Sequence, residues 1–424
     1  MLKRIGVLLM VSLLFICSIP VHAKESSVWS ERKLPKELSN AFYKNAILQL
    51  SNGKVLFIGS KGKKSYLYDP ETNNLTKLPG VNQEGGIEQP LELSDGRIMV
   101  FTEADSYSKP IRRAEIFNFA TNKWTTTGLM KEVRQQMSYR SLSATLLSDG
   151  RVLVSGGTIN NRYDRASTSL ELYDPASNTW SYAKAKMSLE PVYKSHGVLL
   201  QDGKVLYSIS NSMGSFYQIY DPVEDSMSQL SVIPIKKYAY HRYLNVAFSL
   251  HKGVLLDDGN VLIVTDSGLY LYNPLTNEWT NVGYIPYDKD RFGTEYYEYA
   301  KLKNNKILIY ALGVTQEEEE DQEYKGSYSS VNKIKQSRTM IFDPTAKSIN
   351  YITAPPNQIQ PLFFQLKGGK VLALGSHKYE SKGLAISWNL DKIALLDVQA
   401  AENQAKKVSL EYRNAKEALL ESFK

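Results

Sequence analysis

The chain of 424 residues holds a single cysteine, Cys17, and that cysteine lies inside an apolar N-terminal leader. Lys3 and Arg4 open the leader, Ile5 to Ile19 form its apolar run, and Val21-His22-Ala23 places small residues where a signal peptidase cuts. A lipoprotein leader needs small residues just ahead of its cysteine, and Phe15-Ile16 are large. With residues 1–23 removed, the expected mature chain has no thiol, no disulfide and no cysteine metal ligand. An exported chain that avoids cysteine is expected to be bacterial, and secreted or associated with the cell surface. The leader is short for a membrane span and no later apolar run is long enough, so no transmembrane segment is expected. Runs dense in Lys and Arg are also missing, which argues against nucleic acid as a partner. Losing Lys3 and Arg4 lowers the formal charge from +7 to +5, an excess that draws anionic polymers only weakly. Neither H-E-x-x-H nor G-x-x-x-x-G-K-[ST] occurs, and no metal or cofactor is expected.

What the chain does have is a repeat. Ser143 to Met187 reads as two short apolar runs around Asp149-Gly150, a polar loop, and then a second pair around Asp174-Pro175-Ala176-Ser177-Asn178. Asp-Gly supplies the positive φ angles of a tight hairpin turn, and Pro, Asp and Asn are turn formers for separate reasons. Two hairpins joined by a loop make a four-stranded antiparallel sheet of the size of one propeller blade. Such a sheet has two faces to bury and needs neighbours on both sides.

The first hairpin recurs seven times, turning at 51–53, 94–96, 148–150, 201–203, 257–259, 303–305 and 367–369. A basic residue or Asn and an apolar pair follow, as in Lys54-Val55-Leu56, Lys204-Val205-Leu206 and Lys370-Val371-Leu372. The second hairpin recurs as Tyr66-Leu67-Tyr68-Asp69-Pro70, Glu115-Ile116-Phe117-Asn118, Ile219-Tyr220-Asp221-Pro222, Leu271-Tyr272-Asn273-Pro274 and Ile341-Phe342-Asp343-Pro344. The seventh copy lacks an outer strand of its own. Val28-Trp29-Ser30-Glu31-Arg32 matches Thr179-Trp180-Ser181-Tyr182-Ala183 and is expected to supply it, tying the two ends of the chain together.

These motifs resemble the kelch repeat. The resemblance implies an all-β fold, a seven-bladed β-propeller of the galactose-oxidase-like central-domain type, spanning residues 24–398 and closed by an N-terminal strand. A short C-terminal helix is expected over 399–424, where Leu410, Ala418, Leu419 and Phe423 recur among charged residues. The paired glycines of the family survive only as Gly156-Gly157, with Gly59-Ser60 and Gly375-Ser376 as partial matches. A divergent repeat does not hand down the partner of any particular kelch protein.

In this topology both kinds of tight turn lie at one end of the blades. The variable loops lie at the other end, around the channel, as binding loops on a rigid scaffold do. Tyr and Arg bring contact area with a polar tip, suited to peptide or glycan. The candidate ligand-binding residues are therefore Arg134, Tyr139 and Arg140 in the connector into blade three, and Arg162 and Tyr163 in that blade's loop. Tyr193 precedes blade four, Tyr240, His241 and Arg242 precede blade five, Arg291 and Tyr296 precede blade six, and Tyr379 lies in blade seven. His196 and His251 fall at a repeated inner-strand position and are expected to pack. The acidic run Glu317 to Asp321 lacks the spaced ligands of a calcium loop and is expected to stay solvated.

The chain is expected to be a monomeric binding module for a protein or glycan. The alternative is a carbohydrate-active enzyme, epimerase- or lyase-like, using Glu190, His241, Arg242, Arg291 and Glu295 for acid/base work and oxyanion support. The copper-radical chemistry implied by the galactose-oxidase resemblance needs a Cys crosslinked to a Tyr, which the mature chain lacks. The S-x-D-x-G-x-T-W box of sialidases is absent as well.

Overall fold

A computed structural model describes residues 28–38, 46–59, 62–83, 86–102, 113–134, 142–157, 159, 166–190, 196–211, 214–234, 253–265, 268–283, 294–320, 328–356, 359–376, 381–382, 385–386 and 392–405. Seven antiparallel sheets of four or more strands follow one another, six of them built from consecutive strands ordered from inner to outer, and Ser381–Lys382 pairs with Ala385–Ile386 between the second and third strands of the last. Blade three shows the unit: inner strand Leu142–Leu146, second strand Val152–Gly156, third strand Ser169–Asp174 and outer strand Thr179–Lys186. Its inner turn is closed by Leu147 N–H to Arg151 O at 2.8 Å and Gly150 N–H to Leu147 O at 3.0 Å, and the same two bonds occur in all seven blades. The glycine there holds φ of +88°, a left-handed angle that a side chain would strain; Asn305, at 62°, replaces it in blade six.

The last sheet runs Ile359–Gln365, Lys370–Ser376, Lys392–Asp397 and then Trp29–Lys33. Trp29 sits opposite Leu396 and Lys33 opposite Lys392, so the N-terminal strand closes the ring as its pattern predicted. The indole confirms the equivalence. Trp29 Nε1 donates to Thr353 O of blade six at 2.8 Å, as Trp124 Nε1 donates to Pro79 O of blade one at 3.0 Å. Trp279 holds the matching place in blade five, but blade four's outer strand is split into Ser226–Met227 and Ser231–Val232, and this indole N–H finds no acceptor among the described residues.

Second-strand residues alternate between the two neighbouring blades, and their burial makes seven apolar clusters, one per seam. Leu147, Leu153, Leu172, Val205 and Tyr207 fill the seam between blades three and four. Leu38, Val55, Phe57, Leu372 and Leu395 fill the closing seam between blades seven and one. A helix over 398–405 caps the seam between blades six and seven, with Ala401 and Ala405 buried against Trp29 and Leu302. Asp397 accepts Ala400 N–H at its start, and Glu402 pairs with Lys306 at 3.1 Å.

Two further features are added by the structure. Most of the acidic run lies in strand: blade six's second and third strands extend as Ile307–Glu320 and Tyr328–Asp343, and the ladder reaches Glu320 opposite Tyr328. Among the described residues the inner strand pairs no further than Gly313 and the outer strand no further than Thr339, so beyond Gly313 the second and third strands pair with each other as a two-stranded arm. The second feature concerns the tyrosines. Tyr68, Tyr173, Tyr220 and Tyr272 are fully buried and donate their hydroxyls to Asn73, Asn178, Asp225 and Asn277 at 2.8 to 3.1 Å. Each acceptor holds a left-handed φ in the outer turn. These four tyrosines therefore lock outer turns at the structural face.

Candidate functional face

The two ends of the propeller differ. The turn end is uniform, and its outer turns repeat one Asx geometry, with Asp69, Asp174, Asp221 and Asp343 each accepting a backbone N–H two residues on. Partial burial pushes the Asp149 carboxyl up, but Arg151 at 2.6 Å outweighs it and the net shift is down. The Ser177 hydroxyl lowers Asp174, and backbone N–H groups, led by that of Glu224, lower Asp221. At the loop end the breaks between second and third strands vary from 212–213 in blade four to 377–391 in blade seven.

The connectors at the loop end are held from below. In the third strand, two residues before the buried aromatic, blades two, three and four carry Glu115, Glu171 and Gln218, each fully buried. Glu115 accepts the N–H groups of Asn82 and Gln83 at 2.9 and 2.7 Å. Glu171 accepts those of Lys131 and Glu132 at 2.6 and 3.2 Å. Gln218 accepts Ser188 N–H at 3.0 Å and donates to Ser188 Oγ and Ser228 O. Each thus grips the stem of the connector arriving from the preceding blade.

Arg134 belongs to this frame and not to an open surface. Its side chain is wholly buried. Nε donates to Glu171 at 3.0 Å, Nη1 to Gly156 O at 2.8 Å, and Nη2 to Ser169 O and Ser169 Oγ at 3.1 and 2.6 Å. Glu132 accepts Ser167 Oγ and Ser169 Oγ, both at 2.6 Å. The expectation that Arg134 meets a ligand is corrected on this ground: its side chain is wholly buried and bonded internally through Nε, Nη1 and Nη2. Nothing in the sequence marks it as different from Arg140 except its place beside the buried Met130 and Val133.

Of the other candidates, Glu190 is half-buried at the end of the connector leaving blade three. Glu295 and Tyr296 lie on blade six's inner strand, Tyr296 opposite Leu312 with a register shift beside it. His196 opens blade four's inner strand opposite Ser208 and is half-buried, consistent with packing. Tyr139, Arg140, Arg162, Tyr163, Tyr193, Tyr240, His241, Arg242, Arg291 and Tyr379 lie outside the described residues, as do His251, residues 1–27 and 406–424. Sequence reasoning missed the clamps Glu115, Glu171 and Gln218; a charge or amide inside an otherwise apolar third strand was the signal for them. Among the described residues no group of three or more His, Cys, Asp or Glu side chains could hold a metal ion, and no helix is long and apolar enough to cross a membrane.

A family profile described as the Kelch motif matches residues 139–187, the third blade. No curated protein sequence matches the chain. Among solved structures, a fungal alcohol oxidase in complex with copper is similar at a TM-score of 0.57 and 16% identity, over 87% of this chain and 75% of that one. Virginiamycin B lyase from Staphylococcus aureus is similar at a TM-score of 0.51 and 9% identity, over 87% and 98%. The extracellular domain of a putative hybrid two-component system from B. thetaiotaomicron is similar at a TM-score of 0.50 and 14% identity, over 87% and 42%. At such identities the likeness speaks for the fold alone. Fold, ring closure and motif agree: the chain is a seven-bladed β-propeller whose third blade carries a Kelch motif.

Proposed function

We propose that the chain is an exported binding module whose loop face takes a protein or glycan partner at the cell surface. One observation supports this most: the turn end is built from seven near-identical locked turns, whereas the loop end varies in length and sequence above buried polar anchors. Variation on a rigid scaffold is how recognition surfaces are made. Tyr139, Arg140, Arg162, Tyr163, Tyr193, Tyr240, His241, Arg242, Arg291, Tyr296 and Tyr379 are the contact residues of this reading. Residues 1–23 act as its export signal, and the module works as a monomer.

The test uses the chain from Lys24 onward, immobilised and presented with a printed array of cell-surface polysaccharides and a phage-displayed peptide library. Saturable binding to a member of either set is expected, and its loss in a His241→Ala/Arg242→Ala double variant. Turnover of a sugar by the wild type, abolished in that variant while binding persists, would instead establish an enzyme. Failure to bind any member of either set would remove the reading.

A further inference from the structure

Along each second strand the fourth position faces the following blade. Blades one, two, five, six and seven place Ile58, Phe101, Val264, Tyr310 and Leu374 there, all within the apolar clusters of their seams. Blade three has Ser155 and blade four has Ser208. Opposite Ser208 the fifth blade offers Ile263, whereas opposite Ser155 the fourth blade offers Tyr207. Ser155 and Tyr207 are both fully buried. Burial pushes the Tyr207 hydroxyl well up, while Ser155 beside it and Arg134 pull it back. Neighbours as they are, neither hydroxyl meets a hydrogen-bond partner among the described residues.

A third hydroxyl joins them. Ser143 stands opposite Ser155 on blade three's inner strand, and Gly197 stands opposite Tyr207 on blade four's. Residues directly opposite share a face of the sheet, so the two pairs confront each other across the seam. Ser143 Oγ accepts Gly197 N–H at 3.3 Å and keeps a proton to give. Gly197 is what lets the blades approach here: a Cβ in its place would lie 2.6 Å from Thr145 Oγ1 and 3.1 Å from Tyr207 Cε1.

Native interiors pair nearly all of their buried hydroxyls, and use enclosed water where no side chain serves. The oxygens of Ser155 and Tyr207 expose almost no surface, so the enclosure admits nothing as large as a sugar or an oxyanion. Neutral hydroxyls also give a metal ion no charge to bind. Water both donates and accepts, and an enclosed water makes about three hydrogen bonds.

We infer that the seam between blades three and four holds one resident water molecule, bonded by the hydroxyls of Tyr207, Ser155 and Ser143. It carries blade three's polar frame across to blade four, because Ser155 adjoins Gly156, whose carbonyl accepts from Arg134 at 2.8 Å. The inference stands apart from the proposal that the loop face binds.

A crystal structure of the chain from Lys24 onward tests it directly. Water density is expected within about 3 Å of both Tyr207 Oη and Ser155 Oγ. A direct bond between those two oxygens, with no water between them, would overturn the inference. Relaxation dispersion of the water oxygen nucleus, which counts long-lived internal waters, supplies the readout in solution. A Ser155→Ala/Tyr207→Phe double variant is expected to lose one such water relative to the wild type while its circular dichroism spectrum stays native. An unchanged count would overturn the inference as well. Tyr207→Phe alone, which keeps the ring, replaces the double variant if that fails to fold, and is expected to shift the count in the same direction.

Discussion

At the scale of single residues, the repeat is held by pairs of an aromatic and a turn residue. Asn178 holds φ of 55°, accepts Tyr173 OH at 2.9 Å and reaches Gly128 N–H of the preceding blade at 3.3 Å. Asn178→Gly keeps the backbone angle and loses the bonds, whereas Asn178→Ala loses both. The alanine variant is expected to be less stable than the glycine variant by about 1–2 kcal/mol, the cost of a left-handed angle for a side chain, as read by urea denaturation. Tyr173→Phe isolates one hydroxyl and is expected to cost about 1 kcal/mol. Blades two and six already use Phe117 and Phe342 there, which is why the loss stays small. The turn carboxylates give a pH dependence. Asp149, Asp174 and Asp221 are all held below their ordinary value in the folded chain, so their contribution is complete above an unfolded value of about 3.9. It is lost as pH falls through the lowered native values. Thermal melts taken from pH 6 downward are expected to show a decline below about pH 4 that flattens in the triple Asp→Asn variant.

At the scale of elements, what was legible in the sequence was what is local. Asp149-Gly150, Asp174-Pro175 and the apolar pairs between them name hairpins, because turn chemistry acts over four residues and strand burial over five. Trp29 was legible as an outer strand because it matches Trp180 and makes the bond Trp124 makes. The arm of blade six was not. The acidic run was read only as solvated; its strand character comes from pairing with Tyr328–Val331, roughly ten residues away, and no local pattern announces that partner. Arg134 was misassigned for a related reason: its burial depends on Glu171 and Ser169, both more than thirty residues away in sequence. The arm's isolation makes a prediction. Past Gly313 the described strands pair with each other, so replacing 314–334 by an Asn-Gly turn removes no described ladder pair with the inner or outer strand. The melting temperature is expected to change by no more than about 1 °C, less than about 1 kcal/mol for a chain of this size. A larger fall would place part of the arm in the propeller's core packing.

At the scale of the molecule, stability depends on a closure made from two distant pieces of chain. Five residue pairs join Trp29–Lys33 to Lys392–Asp397, Asp397 N–H reaches Val28 O at 3.0 Å, and Arg32 reaches Pro70 O of blade one at 2.5 Å. One short strand therefore contacts blades six, seven and one together, through Thr353, Leu396 and Pro70. Without it, the third strand of blade seven becomes an open edge, and the seam that holds Trp29 against Phe363, Ala394 and Leu396 is left half-built. A chain beginning at Leu34 is expected to melt well below the chain beginning at Lys24 and to associate through that edge, since unpaired strands template pairing. The missing piece is small enough to return in trans. A peptide of residues 24–34 is expected to raise the melting temperature of the shortened chain in a concentration-dependent way, as any ligand specific for the folded state does, and to suppress its association. The same peptide carrying Trp29→Ala loses the indole's buried surface and its bond to Thr353, and is expected to fail. If the shortened chain melts as the longer one does, the strand ornaments a ring that closes by other means; if the peptide rescues it, the ring is closed by pairing its first strand with its last.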